Sequence, residues 1–201
     1  MSTLAELKAT IASDLHRDDL TVLISDEISR ACDYYSGDHF WFLEGTATIT
    51  TAASQSEYSV PTDFGSIVGD LMCKLSGQKY PISVVSYEEI NEIDGGVFTS
   101  IPSKIAYFNN KFRIYPIPNG VYEITLSYHK TLDAPSDTAS NAWTTDAFNL
   151  IRYHVERKIY QSRLRDWDAA RASKENEEDE YIGIVSDSTQ KMSSSRVRKS
   201  L

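Results

Sequence analysis

No proline or glycine occurs between Thr144 and Gly183, and such a segment allows a helix of roughly 38 residues, about 57 Å long at 1.5 Å per residue. Ala147, Phe148, Ile151, Val155, Ile159 and Leu164 recur along one side of it, so that side must be buried against something. The length exceeds that of a usual globular helix, so either a kink divides it or much of it packs against neighbouring chains. Glu175, Glu177, Glu178, Asp179 and Glu180 crowd its far end, where acids oppose the helix dipole. Those turns are expected to fray or to face a solvated cavity.

The other end of the chain is helical as well. Thr3 with Glu6 makes a Thr-x-x-Glu capping box, followed by Leu4, Leu7, Ile11 and Leu15 at helical spacing. Asp18 and Asp19 are placed to cap a second helix whose stripe is Leu20, Leu23, Ile24, Ile28, Ala31 and Tyr35, ending at Gly37. Two short amphipathic helices cannot bury their stripes alone; the distant helical segment is the available partner.

Between them the period changes from 3.6 to 2. TATITTAAS, EYSVP, SIVGDLMCKL, KYPISVV, SKIAYF, KFRIYP and VYEITLSYHK are separated by Gly, Pro, Asn and Ser, which reads as about seven short strands in an antiparallel sandwich or barrel. Ser86-Tyr87-Glu88-Glu89 is a second capping box, opening one short helix. In KFRIYPIPNGVYEITLSYHK, residues 111–130, two alternating runs flank Pro118-Asn119-Gly120, and this pattern predicts that they pair as a hairpin. The fold class is therefore α+β: a helical bundle from residues 1–44 plus 138–183, an inserted β domain over 45–137, and a flexible basic tail over 184–201.

Charge narrows the function. The formal net charge is −9, but residues 184–201 hold Lys191, Arg196, Arg198 and Lys199 against Asp187 alone, a net of +3 that leaves −12 on the rest. An acidic body repels a phosphate backbone, which disfavours ordinary nucleic-acid binding by the folded part. The N-terminus has neither a basic start nor an apolar signal core, so secretion and membrane insertion are not expected. Cys32 and Cys73 read as reduced, partly buried thiols.

Motifs for catalysis or cofactors are absent from the sequence. His16, His39, His129 and His154 show no His-x-x-His or His-x-x-x-His spacing, there is no Cys-x-x-Cys, and the glycine-rich phosphate cradles are missing. Asp133, Asp137 and Asn141 recur every four residues but lack the glycine and terminal glutamate of a calcium loop, so capping and turn roles are expected. Asp38-His39 reads as a helix exit. The aromatic run FWFLE at 40–44 reads as apolar packing where the helical part meets the β part rather than a glycan or base-stacking platform. No metal, cofactor or catalytic residue is assigned.

In the order TLAELKATIASDLHRDDL, HFWFLEGTATITT, YSVPTDF, YPISVVSYEEI, IPSKIAYFNNKFRIYPIPNGVYEITLSYHKTLDAP and NAWTTDAFNLIRYHVERKIY, the chain resembles the head-to-tail adaptor (tail accessory factor) family of short-tailed bacteriophages, from about residue 3 to residue 182. The resemblance implies a non-enzymatic virion protein of the neck or tail, assembled in the host bacterial cytoplasm. It further implies a twelve-fold ring of identical copies beneath the portal protein, extending the DNA channel without sequence-specific binding and offering a platform to a downstream tail or nozzle protein. The C-terminal extension would order on the portal, which assigns portal binding to Lys191, Arg196, Val197, Arg198, Lys199 and Leu201. In a ring, Glu175, Glu177, Glu178, Asp179 and Glu180 would line the channel as a negative wall that a polyanion slides past. The rival readings are a carbohydrate-binding or glycan-cleaving β module using Trp41, Tyr107 and Tyr115, and a DNA-binding protein acting through its basic tail.

Overall fold

Thr3 opens the first helix reciprocally: its hydroxyl accepts the Glu6 backbone N–H, and the Glu6 carboxylate accepts that of Thr3. In this computed structural model, which describes residues 2–93 and 98–194, that helix, α1, spans Leu4–Leu15 and buries Leu7, Ile11 and Leu15. Helix α2, Thr21–Tyr35, buries Ile24, Ile28, Ala31, Cys32 and Tyr35. Its start departs from the expected cap. Asp18–Leu20 form a 3-10 turn and no side chain caps α2, because the Asp19 carboxylate pairs with Arg17 at 2.6 Å, a charge-assisted bond stronger than one from a neutral amide.

The middle of the chain is β1 (Glu44–Thr50), β2 (Glu57–Ser59), β3 (Phe64–Leu75), β4 (Gln78–Val84), α3 (Tyr87–Ile93), β5 (Thr99–Ser100), β6 (Lys104–Phe108), β7 (Lys111–Tyr115), β8 (Ile117–Pro118) and β9 (Glu123–Lys130). All seven segments with strand periodicity lie in one curled sheet of order β1-β9-β3-β4-β6-β7-β2, antiparallel except for the parallel β4–β6 pair. That pair needs a crossover; α3 lies within it, with Ser86 Oγ accepting the Glu89 N–H at 3.1 Å. The alternation in β9 holds from Glu123 to Tyr128, with Ile124, Leu126 and Tyr128 buried in one core with Leu71, Cys73, Ile105, Phe112 and Ile114, and ends at His129, which is buried as well.

The expected hairpin across 116–122 does not form. β7 pairs with β6 and β2, whereas β9 pairs with β1 and β3. The tight turn is instead Asn109-Asn110, both at positive φ (49° and 56°), which joins β6 to β7 with Phe108 opposite Lys111. Two consecutive left-handed residues match the twist of the flanking strands, and asparagine adopts that conformation readily. Pro116 and Pro118 cannot donate to a ladder, and β8 is drawn to the short parallel pair with β5.

After β9 come α4 (Ala142–Thr145), α5 (Phe148–Ile159) and α6 (Trp167–Ser194). Asn141 caps α4, its side-chain oxygen accepting the Thr144 N–H, and Asp137 accepts Lys8 at 2.9 Å, so the 133–141 run does capping and tethering work. The single long helix is divided: α5 passes into a π-helical turn, Tyr160–Leu164, Arg165 takes a left-handed conformation (φ 53°), and Asp166 Oδ1 accepts the Ala169 N–H to restart the chain as α6. Contacts of Asn149 with Glu180 and of Arg157 with Glu177 show α6 folding back antiparallel on α5. α6 also continues through Gly183 to Ser194, so residues 184–194 are helical where their composition suggests a flexible segment. Ile184 packs on the helical core and Ser188 is buried, and this tertiary contact outweighs weak local propensity.

The chain divides into two compact units, one from its two ends, up to Leu43 and from Leu132 on, the other Glu44–Thr131. The helical unit is centred on α5, whose Leu150, Ile151, Val155 and Ile159 are enclosed by α1, α2 and the Phe40-Trp41-Phe42-Leu43 turn. Burial of each such side chain stabilises by about 1.5–3 kcal/mol.

Candidate functional site

Helix α6 carries most of the residues to which the sequence points, and its burial pattern sorts them. Ala170, Ser173, Glu177, Tyr181, Ile184 and Ser188 recur at three- and four-residue steps and face the helical core. Glu177 therefore turns inward and is only 7% exposed, at the edge of a groove between α2 and α6. Its carboxylate meets donors from two other helices: the Tyr35 hydroxyl donates to Oε1 at 2.6 Å, Arg157 donates to Oε2 at 2.5 Å and Oε1 at 3.0 Å, and His154 Nδ1 lies 2.9 Å from Oε1. A carboxylate only accepts, so His154 carries its proton on Nδ1. Burial pushes the Glu177 pKa up, but the hydrogen bonds from His154, Arg157 and Tyr35 outweigh it and hold the group down at about 2. Glu177 is thus a fixed charge clamping α6 to α2 and α5.

The other acids lie elsewhere on the helix. Glu175, Glu178 and Asp179 are exposed, and Lys174 pairs with Glu178 at 3.2 Å across solvent. Glu180, partly buried, accepts the Asn149 amide at 3.3 Å. The clamp residues Tyr35, Arg157 and Glu177 form part of the wall of this open groove of about 800 Å³ between α2 and α6, which Tyr34, Lys174 and Ile182 also line. Tyr34 and Ile182 are 69% and 63% exposed, so an apolar strip runs along this acidic surface.

The C-terminal end of α6 is fastened too. The Trp41 backbone N–H donates to Ser188 Oγ at 3.1 Å, the Ser188 hydroxyl donates to the Ile184 carbonyl at 2.7 Å, and Lys191 Nζ sits 3.4 Å above the Trp41 ring, a cation–π contact. Lys191 is thus engaged within its own chain, while Arg196, Val197, Arg198, Lys199 and Leu201 lie outside the described residues. From the sequence Tyr35 read only as part of an apolar stripe, His154 only as a histidine without metal spacing, and Arg157 was not singled out. The signal that could have found them is the three-residue His154–Arg157 spacing on α5 together with one glutamate on an otherwise buried stripe of α6.

The aromatic residues of the glycan reading are divided between the two units. Trp41 belongs to the helical unit, whereas Tyr107 and Tyr115 belong to the β unit, where Tyr107 packs on Phe64 with ring centres 5.2 Å apart. Phe40, Phe42 and Leu43 are core residues. Both cysteines are free and buried, and burial pushes the Cys32 thiol up to about 12, far from a reactive thiolate. Among the described residues no cluster of His, Cys, Asp and Glu is arranged to hold a metal ion, and no helix is long and apolar enough to cross a membrane.

Compared with known families, the sequence matches the family model described as SU10 adaptor protein over residues 2–199. No curated protein matches it.

Proposed function

Because the chain belongs to the SU10 adaptor protein family, whose members are structural adaptors of bacteriophages, we propose that it works in the virion neck as a head-to-tail adaptor. Twelve copies close into a ring that docks on the portal, extends the DNA channel and offers a platform for later tail proteins. Its work is assembly and not catalysis. The observation that carries the reading is the match along nearly the full chain, helical and β parts alike. Two features of the helical unit support it. The exposed Glu175, Glu178 and Asp179 provide a carboxylate face that repels passing DNA, and α6 is pinned as far as Lys191, which delivers the basic residues 196–199 to a partner from a fixed point.

Ring closure of this kind uses a heterologous contact repeated around an axis. A segment that orders only on a preformed partner makes assembly sequential, because its ordering entropy is lost at docking and nowhere earlier. The test is a truncation after Ser194, which leaves Ile184 and Ser188 in place and removes Arg196, Val197, Arg198, Lys199 and Leu201. The shortened chain should keep its helical content, and its capture by portal rings in a pull-down should fall at least about tenfold, equivalent to the loss of one or two charge-assisted contacts. Undiminished capture would remove the C-terminal segment from the mechanism. A mass by light scattering that is unchanged on adding portal rings would remove portal docking itself.

A further inference from the structure

A second charge cluster, partly buried, sits where the two ends of the chain meet, apart from the Glu177 clamp. Arg152 on α5 faces two acids at once: its Nε donates to Glu156 Oε1, one turn further along α5, at 2.9 Å, and its Nη2 lies at ion-pair distance, 2.8 Å, from Asp14 Oδ2 on α1, a buried oxygen that accepts no hydrogen bond. Glu156 is 5% exposed, while the Asp14 side chain keeps about a third of its surface in water. One guanidinium neutralises one carboxylate, so two carboxylates on the same guanidinium leave an excess negative charge beside Glu156, which is itself shut off from water. A proton shared between the two acids removes that excess, and exposure of Asp14 gives the proton a route to solvent.

We infer that Asp14 and Glu156, gathered on Arg152, form a proton-operated latch between α1 and α5, closed when the pair holds one proton and loosened when both acids are ionised. The other groups around Glu156 do not replace that proton. Tyr153 packs its ring 5.0 Å from the Arg152 guanidinium, and Tyr160 lies one turn on from Glu156; neither brings a positive charge. α2 and α6 meet α5 on its His154–Arg157 side, where they present Tyr35 and Glu177, and α4 has no charged side chain. Burial, together with the Asp14 carboxylate, outweighs the pull of Arg152 and raises Glu156 to about 7, which puts the transition in the neutral range. A carboxyl raised from 4.5 contributes stability that is complete below pH 4.5 and lost as pH climbs through 7.

The test is the unfolding equilibrium of the full chain between pH 5.5 and 8.5, followed by tryptophan fluorescence, since Trp41, Trp143 and Trp167 all lie in the helical unit. For the wild type the unfolding constant should rise by about 30-fold more across this interval than for Glu156→Gln; groups common to both chains cancel in the difference. Amide exchange, corrected for the intrinsic pH effect, should show α1 opening more often at pH 8.5 in the wild type and not in Glu156→Gln. Should Glu156→Gln fold poorly, Asp14→Asn removes the same excess charge and should flatten the same curve. Equal pH profiles for the wild type and a folded variant would overturn the latch, as would α1 protection that does not change with pH.

Discussion

Replacing Glu177 by glutamine tests whether α6 is held by a buried charge or only by its apolar stripe. The carboxyl is held at about 2 against 4.5 for a free glutamate, and at about 1.4 kcal/mol for each tenfold change in proton affinity this corresponds to about 3 kcal/mol in favour of the ionised form. Its side chain is only 9% exposed, so solvent screening removes little of that. Glutamine keeps the shape but brings an amide donor into a site already crowded by the Tyr35, His154 and Arg157 donors, and it leaves Arg157 without its counter-charge. The expected loss at pH 7 is about 2–4 kcal/mol in urea unfolding read by tryptophan fluorescence. The sign follows from a depressed carboxyl: the contribution is complete above pH 4.5 and is lost as pH falls through 2. The wild-type and Glu177→Gln curves should therefore run parallel from pH 5 to 7 and converge toward pH 2. A loss under about 1 kcal/mol at pH 7, or a gap that persists at pH 2, would refute the clamp.

Two further outcomes concern the β unit. At Gly65 an added Cβ would lie 2.9 Å from the His129 carbonyl on the neighbouring strand β9, so Gly65→Ala must push backbone apart; a loss of about 1–3 kcal/mol is expected, seen as faster amide exchange in β3 and β9, and normal exchange there would contradict it. Asn109 stands at φ 49° in the β6–β7 turn. Asn109→Gly should be nearly neutral, whereas Asn109→Val should cost about 1–2 kcal/mol in thermal or urea unfolding of the β unit; a valine variant as stable as the glycine one would mean that the turn does not need the left-handed conformation.

How much of this was legible beforehand varies with the range of the interactions involved. The Thr3–Glu6 box, the Ser86 cap and the stripes of α1 and α2 were readable because each depends on residues within a turn or two. All seven strands of the sheet were visible through their period of two. Their partners were not: β7 and β9 lie close in sequence, yet each found its neighbours elsewhere, since the two-residue Asn109-Asn110 turn closes a ladder at once and the proline-bearing connection cannot. The break after α5 was hidden as well, because Arg165 gives no glycine or proline signal and Asp166 looks like an ordinary helical acid until its carboxylate caps α6.

The candidate site divides along the same line. Local pattern alone determined that helices stand at both ends, that a β domain is inserted between them, and that an acidic helix is followed by a basic end, because backbone periodicity and net charge do not depend on distant contacts. Which of the acids between Glu175 and Glu180 becomes a buried strut, and which stay in solvent, only the tertiary structure decided. Ionising a carboxylate away from water requires donors, and the donors for Glu177 come from α2 and α5, brought to one point by packing that no short window of sequence contains.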